Sequence, residues 1–306
     1  MYSLIEAIRR AEKNKVAVGH FNISEFAAFR AIVHAARELN VPVIIGTSEG
    51  EAEFIGMEQA AALVGSIREE TGHPVYLNAD HMRDLEKVKA AASAGYDSII
   101  FDGAGLKFEE NIRKTKEAVE LAKSINPDVL MEGEVGYIGT SSELLDSVPE
   151  GAAITEKDMT TPEEATQFVK ETAVDLLAPA VGEIHGMLVR RSSGGEGMKS
   201  APNPNLNIER IKEIREAVGV PLVLHGGSGV SDDDFIEAIY AGISVIHINT
   251  ELRVAWRTGL EKMLKENVSE IAPYKILSDP KRKFTDPEEE VYKVVLKRLR
   301  LFNRLI

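Results

Sequence analysis

The sequence predicts an α/β chain closed into a (β/α)₈ TIM barrel with a C-terminal helical extension. Eight short apolar runs, each followed by a longer amphipathic one, fill most of its 306 residues. The short runs are almost continuously apolar, as in Ser98-Ile-Ile-Phe101, where a half-exposed strand would alternate. Strands buried on both faces of a parallel sheet read that way. A row of β-then-α units closes most economically into a barrel. The rival, a doubly wound open sheet, usually carries a glycine-rich dinucleotide turn after its first strand, and Gly19-His-Phe-Asn22 is not one.

In order, the expected strands are 16–21, 42–46, 75–79, 98–101, 129–134, 176–181, 222–225 and 243–248. The expected helices are 24–39, 57–70, 84–94, 108–124, 162–172, 208–217, 232–241 and 251–265. Asn40-Val-Pro42 and Gly219-Val-Pro221 put a turn and a proline just ahead of a strand, where a missing N–H does least harm. Gly95 and Gly242 stand where helices end and a left-handed cap is needed. Two connections, 136–161 and 182–207, exceed what a barrel requires. Both follow strands, so they rise from the C-terminal face, where lids and binding loops belong. The tail 273–306 contains an amphipathic stretch, 287–302, with Val291, Val294, Val295, Leu299 and Phe302 on one face. It packs on the barrel or builds a subunit interface. The whole chain, 1–306, reads as a single domain.

A formal net charge of -13 argues against nucleic acid or an anionic membrane as the main partner. Anionic small molecules stay open, because the field at a helix N-terminus can outweigh the global sign. There is no cysteine, so any metal must be held by His, Asp or Glu. The N-terminus lacks a basic region followed by a long apolar run, and no apolar stretch is long enough to span a bilayer. The expected location is the cytoplasm.

The polar residues at strand ends carry the chemistry. Asn78-Ala-Asp-His81 closes the third strand with a carboxylate beside an imidazole. Alone, such a pair is most often a helix cap next to a surface histidine. Glu132 and Glu134 lie on the fifth strand, His185 follows the sixth and His225 ends the seventh. In a barrel these positions converge on one rim, so His81, His185 and His225 can meet at one ion, with an open position for catalysis. Of the other histidines, His34 falls within a helix and His73 in a turn, and both read as structural. Leu224-His-Gly-Gly-Ser-Gly229, with Gly226, Gly227 and Ser228, offers outward N–H groups near a helix N-terminus. Asn249 and Thr250 supply a second anion cradle after the eighth strand. A Gly-Gly-Ser-Gly run also serves as a plain turn.

The motifs together resemble the class II, zinc-dependent fructose-bisphosphate and tagatose-bisphosphate aldolases over nearly the whole length. Besides Asn78-Ala-Asp-His81 they are Val18-Gly-His-Phe-Asn22, Thr47-Ser-Glu-Gly50, Phe101-Asp-Gly103, Glu132-Gly-Glu-Val-Gly136, Val181-Gly-Glu-Ile-His-Gly186, Leu222-Val-Leu-His-Gly-Gly-Ser-Gly229 and Ile248-Asn-Thr-Glu251. The resemblance implies a lyase of glycolysis and gluconeogenesis. It implies zinc on His81, His185 and His225, with Glu132 a ligand of a displaced metal position and Asp102 supporting the site. Asp80 is the implied proton-transferring carboxylate. At the enediolate carbon the choice lies open among Glu134, Glu143 and Glu150. The phosphate of dihydroxyacetone phosphate falls to Gly186, Gly226, Ser228, Asn249 and Thr250. Asn22 and Ser48 face the aldehyde half, and Arg253 its phosphate. A monovalent cation such as Na⁺ or K⁺ near the phosphate, and a homodimer or homotetramer, are further expectations.

Departures from the family pattern cluster around the substrate. His247 stands where an asparagine touches substrate, which leaves it as a neutral donor, a fourth metal-site group or a new substrate contact. His20 replaces a small residue, and Ala104 a serine. Val189 falls where a phosphate-binding lysine is expected, with Arg190, Arg191 or Lys199 as substitutes from the long loop. Fructose 1,6-bisphosphate is the first expected substrate, and tagatose 1,6-bisphosphate or another phosphorylated ketose the alternative. A metal-dependent hydrolase on the same barrel, or a non-catalytic sugar-phosphate-binding protein, are the readings outside this class.

Overall fold

The computed structural model describes residues 2–140, 142–191, 198–266, 269–277 and 283–305. Its strands are β1 (Val18–Asn22), β2 (Val43–Ser48), β3 (Val75–Met82), β4 (Ser98–Phe101), β5 (Leu130–Val135), β6 (Leu144–Leu145), β7 (Leu176–Pro179), β8 (Met187–Arg191), β9 (Met198–Ser200), β10 (Leu222–Leu224) and β11 (Ile243–Ile248). Eight of them close a parallel barrel in the order β1-β2-β3-β4-β5-β7-β10-β11 and back to β1. Each expected strand is one of its staves.

The helices are α1 (Leu4–Asn14), α2 (Phe26–Leu39), α3 (Glu49–Ile55), α4 (Met57–Thr71), α5 (Leu85–Ala94), α6 (Phe108–Ile125), α7 (Pro162–Thr172), α8 (Ile208–Ala217), α9 (Asp232–Ala241), α10 (Thr250–Glu266), α11 (Pro273–Ile276) and α12 (Asp286–Phe302). Among the described residues no helix is long and apolar enough to cross a membrane.

Strand alternation sorts the side chains. Outward residues such as Phe21, Ile45, Leu77, Ile99, Leu177 and Ile246 join the helices in one large core. Inward residues change character along each strand. Val18 gives way to His20 and Asn22, Tyr76 to Asn78 and Asp80, Leu130 to Glu132 and Glu134, and Val245 to His247, all buried. The N-terminal end of the interior is thus apolar and its C-terminal end polar.

The apolar end is plugged by α1, a helix our sequence reading did not expect. Its Leu4, Ile8 and Ala11 pack on Val18, Ile44, Tyr76, Leu176 and Val245. A capping box between Ser3 and Glu6 starts it, and Ser-x-x-Glu was the available signal.

The long connections are more ordered than irregular loops. β6 from the first pairs with β8 from the second, and β8 pairs antiparallel with β9. The tail packs on its own barrel: α12 buries Val291, Val295, Leu299 and Phe302 against the outer core. It also brings the fully buried Glu288 to Arg30 of α2, 3.2 Å away, and to His34, 3.9 Å away.

Two measurements check this packing. Ile8→Ala, which empties the plug, should lower unfolding stability by about 2–5 kcal/mol in chemical denaturation, and a loss below about 1 kcal/mol would contradict it. Burial lifts the Glu288 carboxyl from 4.5 to about 6 despite Arg30. The folded state then holds this proton more tightly than the unfolded state, so its contribution to stability falls as pH rises from 4.5 through about 6. Glu288→Gln should therefore gain stability relative to the parent over that window and show no further relative gain above it.

Candidate active site

At the end of β3 the chain does something a regular strand cannot. Consecutive side chains normally face opposite sides of a sheet. Here the β3–β4 register shifts between Ala79 and Met82, and His81 has φ of 56° in the left-handed region. The irregularity turns both Asp80 and His81 toward the rim. Asp84, accepting from the Glu86 N–H, then caps α5.

His81 meets His185, His225 and Glu134, with one possible ligand atom from each lying within 4.8 Å of the others. The His81 ring stands at 72° to His185 and 80° to His225, with centroids 4.7 Å apart in both cases. Steeply crossed rings aim their in-plane lone pairs toward a common point, as a tetrahedral ion requires. Two buried atoms of the group, His225 Nδ1 and Glu134 Oε2, have no hydrogen-bond partner. Burial, and then neighbouring imidazoles, hold His185 well below its usual range and His225 down to about 3, so both stay neutral. These residues fit a divalent cation.

The other expected carboxylates stand behind the imidazoles. Glu132 Oε1 and His225 Nε2 are hydrogen-bonded at 2.7 Å; with Glu132 ionised the ring proton sits there and Nδ1 keeps its lone pair. Asp102 Oδ2 lies 3.3 Å from His81 Nδ1 and accepts from Arg83 Nε and Nη2 at 2.9 and 2.8 Å. These placements bear on the expected assignment. Glu134, expected as a catalytic group alone, lies within the donor cluster. Asp102 stands behind His81, and Glu132, expected as the ligand of a displaced metal position, forms a second group with His225 and His247 whose atoms could also hold an ion. Both glutamates point inward from β5, so only height along the strand separates them, and Glu134 is nearer the rim. Burial pushes both up to about 7.

Asp80 is held from two sides. Its Oδ2 accepts from Asn22 Nδ2 at 2.8 Å, and its Oδ1 is 3.3 Å from His247 Nδ1. Burial opposes ionisation, but His81 beside it, with His247 and His20, keeps its carboxyl well below the ordinary range. Asp80 is ionised at neutral pH. Asn22 also donates to Glu51 Oε2 at 2.8 Å, and Glu51 accepts from the Ser48 N–H and from Arg253 Nη2 at 2.9 and 2.7 Å. Glu51 was missed in the sequence. It sits on α3, and its signal was the capping box Ser48…Glu51 directly after a strand.

Gly186, Gly226, Gly227, Ser228, Asn249 and Thr250 line one small cavity with Asn22, Asp80, His81, His185 and His247. Gly226 needs to be glycine: its φ is 57°, and a Cβ would lie 2.4 Å from the Ile184 carbonyl oxygen. Asn203, also missed, ties two of these loops together by donating to the carbonyls of Gly186 and Ser228, both at 2.9 Å. The cavity opens into a wider one of about 340 Å³ lined by Ser48, Arg83, Glu143 and Arg253 among others. Val189 is buried in β8 and supplies no charge. The side chains of Arg190, Arg191 and Lys199 lie outside the described residues. Ala104 donates its N–H to Asp102 Oδ1 at 3.3 Å.

Crossed imidazoles next to a glycine cradle, at the C-terminal rim of a closed barrel, define an enzyme that sets a cation against an anionic substrate. Comparison with known proteins narrows the class. The family model described as "Fructose-bisphosphate aldolase class-II" matches residues 2–305, and the chain belongs to that family of lyases. It is 35% identical over 280 residues to a fructose-bisphosphate aldolase of Geobacillus stearothermophilus, covering 90% of both chains. It is 33% identical to a sulfofructosephosphate aldolase of Alkalicoccus urumqiensis, over 86% of this chain and 85% of the other. The YdjI aldolase of Escherichia coli K12 superposes with a TM-score of 0.77 at 31% identity, covering 98% and 96%.

The cradle can be tested by itself. Gly226→Ala adds a Cβ where none fits, in a conformation that disfavours it by about 1–2 kcal/mol. It should weaken binding of inorganic phosphate, followed by calorimetry, by about tenfold, a difference of about 1.4 kcal/mol. Unchanged binding would place the anion elsewhere.

Proposed function

We propose that this chain is a zinc-dependent aldolase that reversibly cleaves a ketose 1,6-bisphosphate, fructose 1,6-bisphosphate first, to dihydroxyacetone phosphate and glyceraldehyde 3-phosphate. One observation carries the reading: an ionised Asp80, hydrogen-bonded to Asn22 and facing His247, shares a cavity with His81, His185 and the glycine cradle, while His225 crosses the His81 ring. His81, His185 and His225 would hold the zinc, with Glu134 beside them. Nitrogen donors without sulfur suit that ion. When bound, it polarises the ketone and stabilises the negative charge that develops on the substrate.

The residues then divide the work. Gly186, Gly226, Gly227, Ser228, Asn249 and Thr250 grip the phosphate of the triose half. The phosphate of the aldehyde half falls to Arg253, and Arg83 lines the same cavity. Ser48 lies on the wall between. In cleavage Asp80 takes the C4 hydroxyl proton, the C3–C4 bond breaks, and its electron pair passes into the enediolate while the aldehyde leaves. A proton then returns to the enediolate carbon. Glu143 is the candidate donor, because it lines the cavity whereas Glu150 is not among the lining residues. A homodimer or homotetramer is part of the proposal, supported by Phe54, 77% exposed beside Trp256 and Leu252 on the wall of an adjoining apolar cavity. A monovalent cation near the phosphate and a cytoplasmic location complete it.

A second ketose, tagatose 1,6-bisphosphate or another phosphorylated sugar, is the alternative, and one feature bears on the choice. His247 brings an imidazole to the cavity wall and leaves less room than a smaller side chain. Parallel assays on both epimers decide between them.

Treatment with EDTA should abolish cleavage and zinc should restore it; equal rates before and after would sink the metal-dependent reading. Asp80→Ala should keep its metal by elemental analysis while kcat falls by about three orders of magnitude or more, the scale of losing an essential proton-transfer group. Turnover near the parent level would show that another group is the base.

A further inference from the structure

We propose that His20 and His247 are positioning residues for Asp80: the stacked imidazoles, anchored by Asn78, fix the orientation of the carboxylate that takes the substrate proton. The inference rests on the aldolase reading and concerns a pair that reading leaves largely unused.

The pairing follows from register. His20 of β1 lies opposite His247 of β11 in adjacent parallel strands, so both project inward at the same height. The rings stack with centroids 3.5 Å apart and an interplanar angle of 4°. His20 is fully buried, and its Nε2 is hydrogen-bonded to Asn78 Oδ1 at 3.0 Å. Asn78 Nδ2 in turn donates to Ser98 Oγ at 2.8 Å, which settles the amide's orientation and makes its oxygen the acceptor for His20. His247 continues the column onto His225, 4.3 Å away at 19°. It is clamped between two rings while its Nδ1 faces Asp80 Oδ1. With Asn22 on Oδ2, each oxygen of Asp80 has a near neighbour held in place, and His81 Nε2 lies farther from Oδ1, at 3.7 Å. Burial, the larger influence on each, keeps His20 down to about 3 and His247 to about 4, so the stack carries no charge repulsion.

The slot for His20 is made by an absent side chain. A Cβ on Gly46 of β2 would sit 2.2 Å from His20 Cε1 and 2.5 Å from its Nε2. Gly46 has no positive φ, so space and not backbone freedom is what its position requires.

A second cation is the competing use, since His20, Asp80 and His247 each offer an atom within 4.8 Å of the others. Ring geometry argues against it. Parallel rings 3.5 Å apart send their in-plane lone pairs along parallel planes that do not meet, unlike the crossed rings of His81 and His225. Orientation of a general base is, by contrast, what such a stack controls, and a misplacement near 1 Å can cost roughly a hundredfold in rate.

The test separates two partial reactions of the metal-loaded enzyme. Cleavage of fructose and tagatose 1,6-bisphosphate needs Asp80. Exchange of the hydroxymethyl proton of dihydroxyacetone phosphate with deuterium from solvent does not. His20→Ala empties the slot, and Gly46→Ala drives the ring out of it, so the second variant stands in if the first does not fold. In folded variants with parental metal content, kcat for cleavage should fall about tenfold or more, with KM and the exchange rate each within about threefold. Equal loss of both reactions would mean general damage to the site, and loss of neither would mean that Asp80 needs no such support; either overturns the proposal. Parent protein that performs neither reaction overturns the aldolase reading itself, a result distinct from both.

Discussion

A β-strand sends successive side chains to opposite faces, and the rim of this barrel depends on a departure from that rule. Asp80 continues the inward series of Tyr76 and Asn78. His81 would face the helices were it not for the register shift and its left-handed backbone. A non-glycine residue in that region costs of order 1–3 kcal/mol and persists only where its surroundings over-determine it. They do so here: Asp102 and Glu134 each lie 3.3 Å from His81 Nδ1, and Asn22 fixes Asp80. The strain places a carboxylate and an imidazole side by side without a second element to bring them together.

The same barrel interior must bury many polar groups, and it manages this by layering. α1 seals the apolar end, so the polar layers above stand on a packed base. Within them several ionisable groups meet a counterpart. Glu132 meets His225, Asp102 meets both His81 and Arg83, and Glu51 meets both Asn22 and Arg253. An unpaired buried charge would cost several kcal/mol. Among the described residues eight buried side-chain atoms lack a hydrogen-bond partner; four, His225 Nδ1, Glu134 Oε2, Asp80 Oδ1 and His20 Nδ1, cluster where the proposed chemistry and its support lie, and the others belong to Glu12, Trp256 and Glu288. Four such atoms gathered at one place mark a group that a bound partner can satisfy.

Much of this was legible from residue order alone, for definable reasons. A barrel strand announces itself by a short apolar run, and its end by the first polar residues, so His81, His185 and His225 could be placed on one rim before any coordinates. The depth of a side chain below that rim is not written in the pattern. Glu132 and Glu134 share a face at a spacing of two and looked interchangeable, yet Glu134 joins His81, His185 and His225 while Glu132 joins His225 and His247. Nothing in the sequence revealed that Arg83 would hold Asp102. α3 is short enough to pass for loop, and Glu51 was lost with it. The His20–His247 contact needs strand register across the barrel's closing seam, where the first and last strands meet.

The C-terminal helix shows how far the site extends into the scaffold. Arg298 of α12 donates Nε to Glu251 Oε2 at 2.9 Å and Nη2 to Oε1 at 2.6 Å, a two-pronged pair that specifies the carboxylate's orientation. That carboxylate accepts the Gly229 N–H at 3.2 Å, and the Glu251 N–H reaches Ser228 Oγ at 3.1 Å. Arg298 Nη1 meanwhile holds Asp232 in the first turn of α9 at 2.6 Å. The helix that our sequence reading could assign either to the barrel or to a partner subunit is therefore tied to the glycine loop. Its apolar face supplies the packing, and one buried arginine turns that packing into a fixed position for Gly226–Gly229.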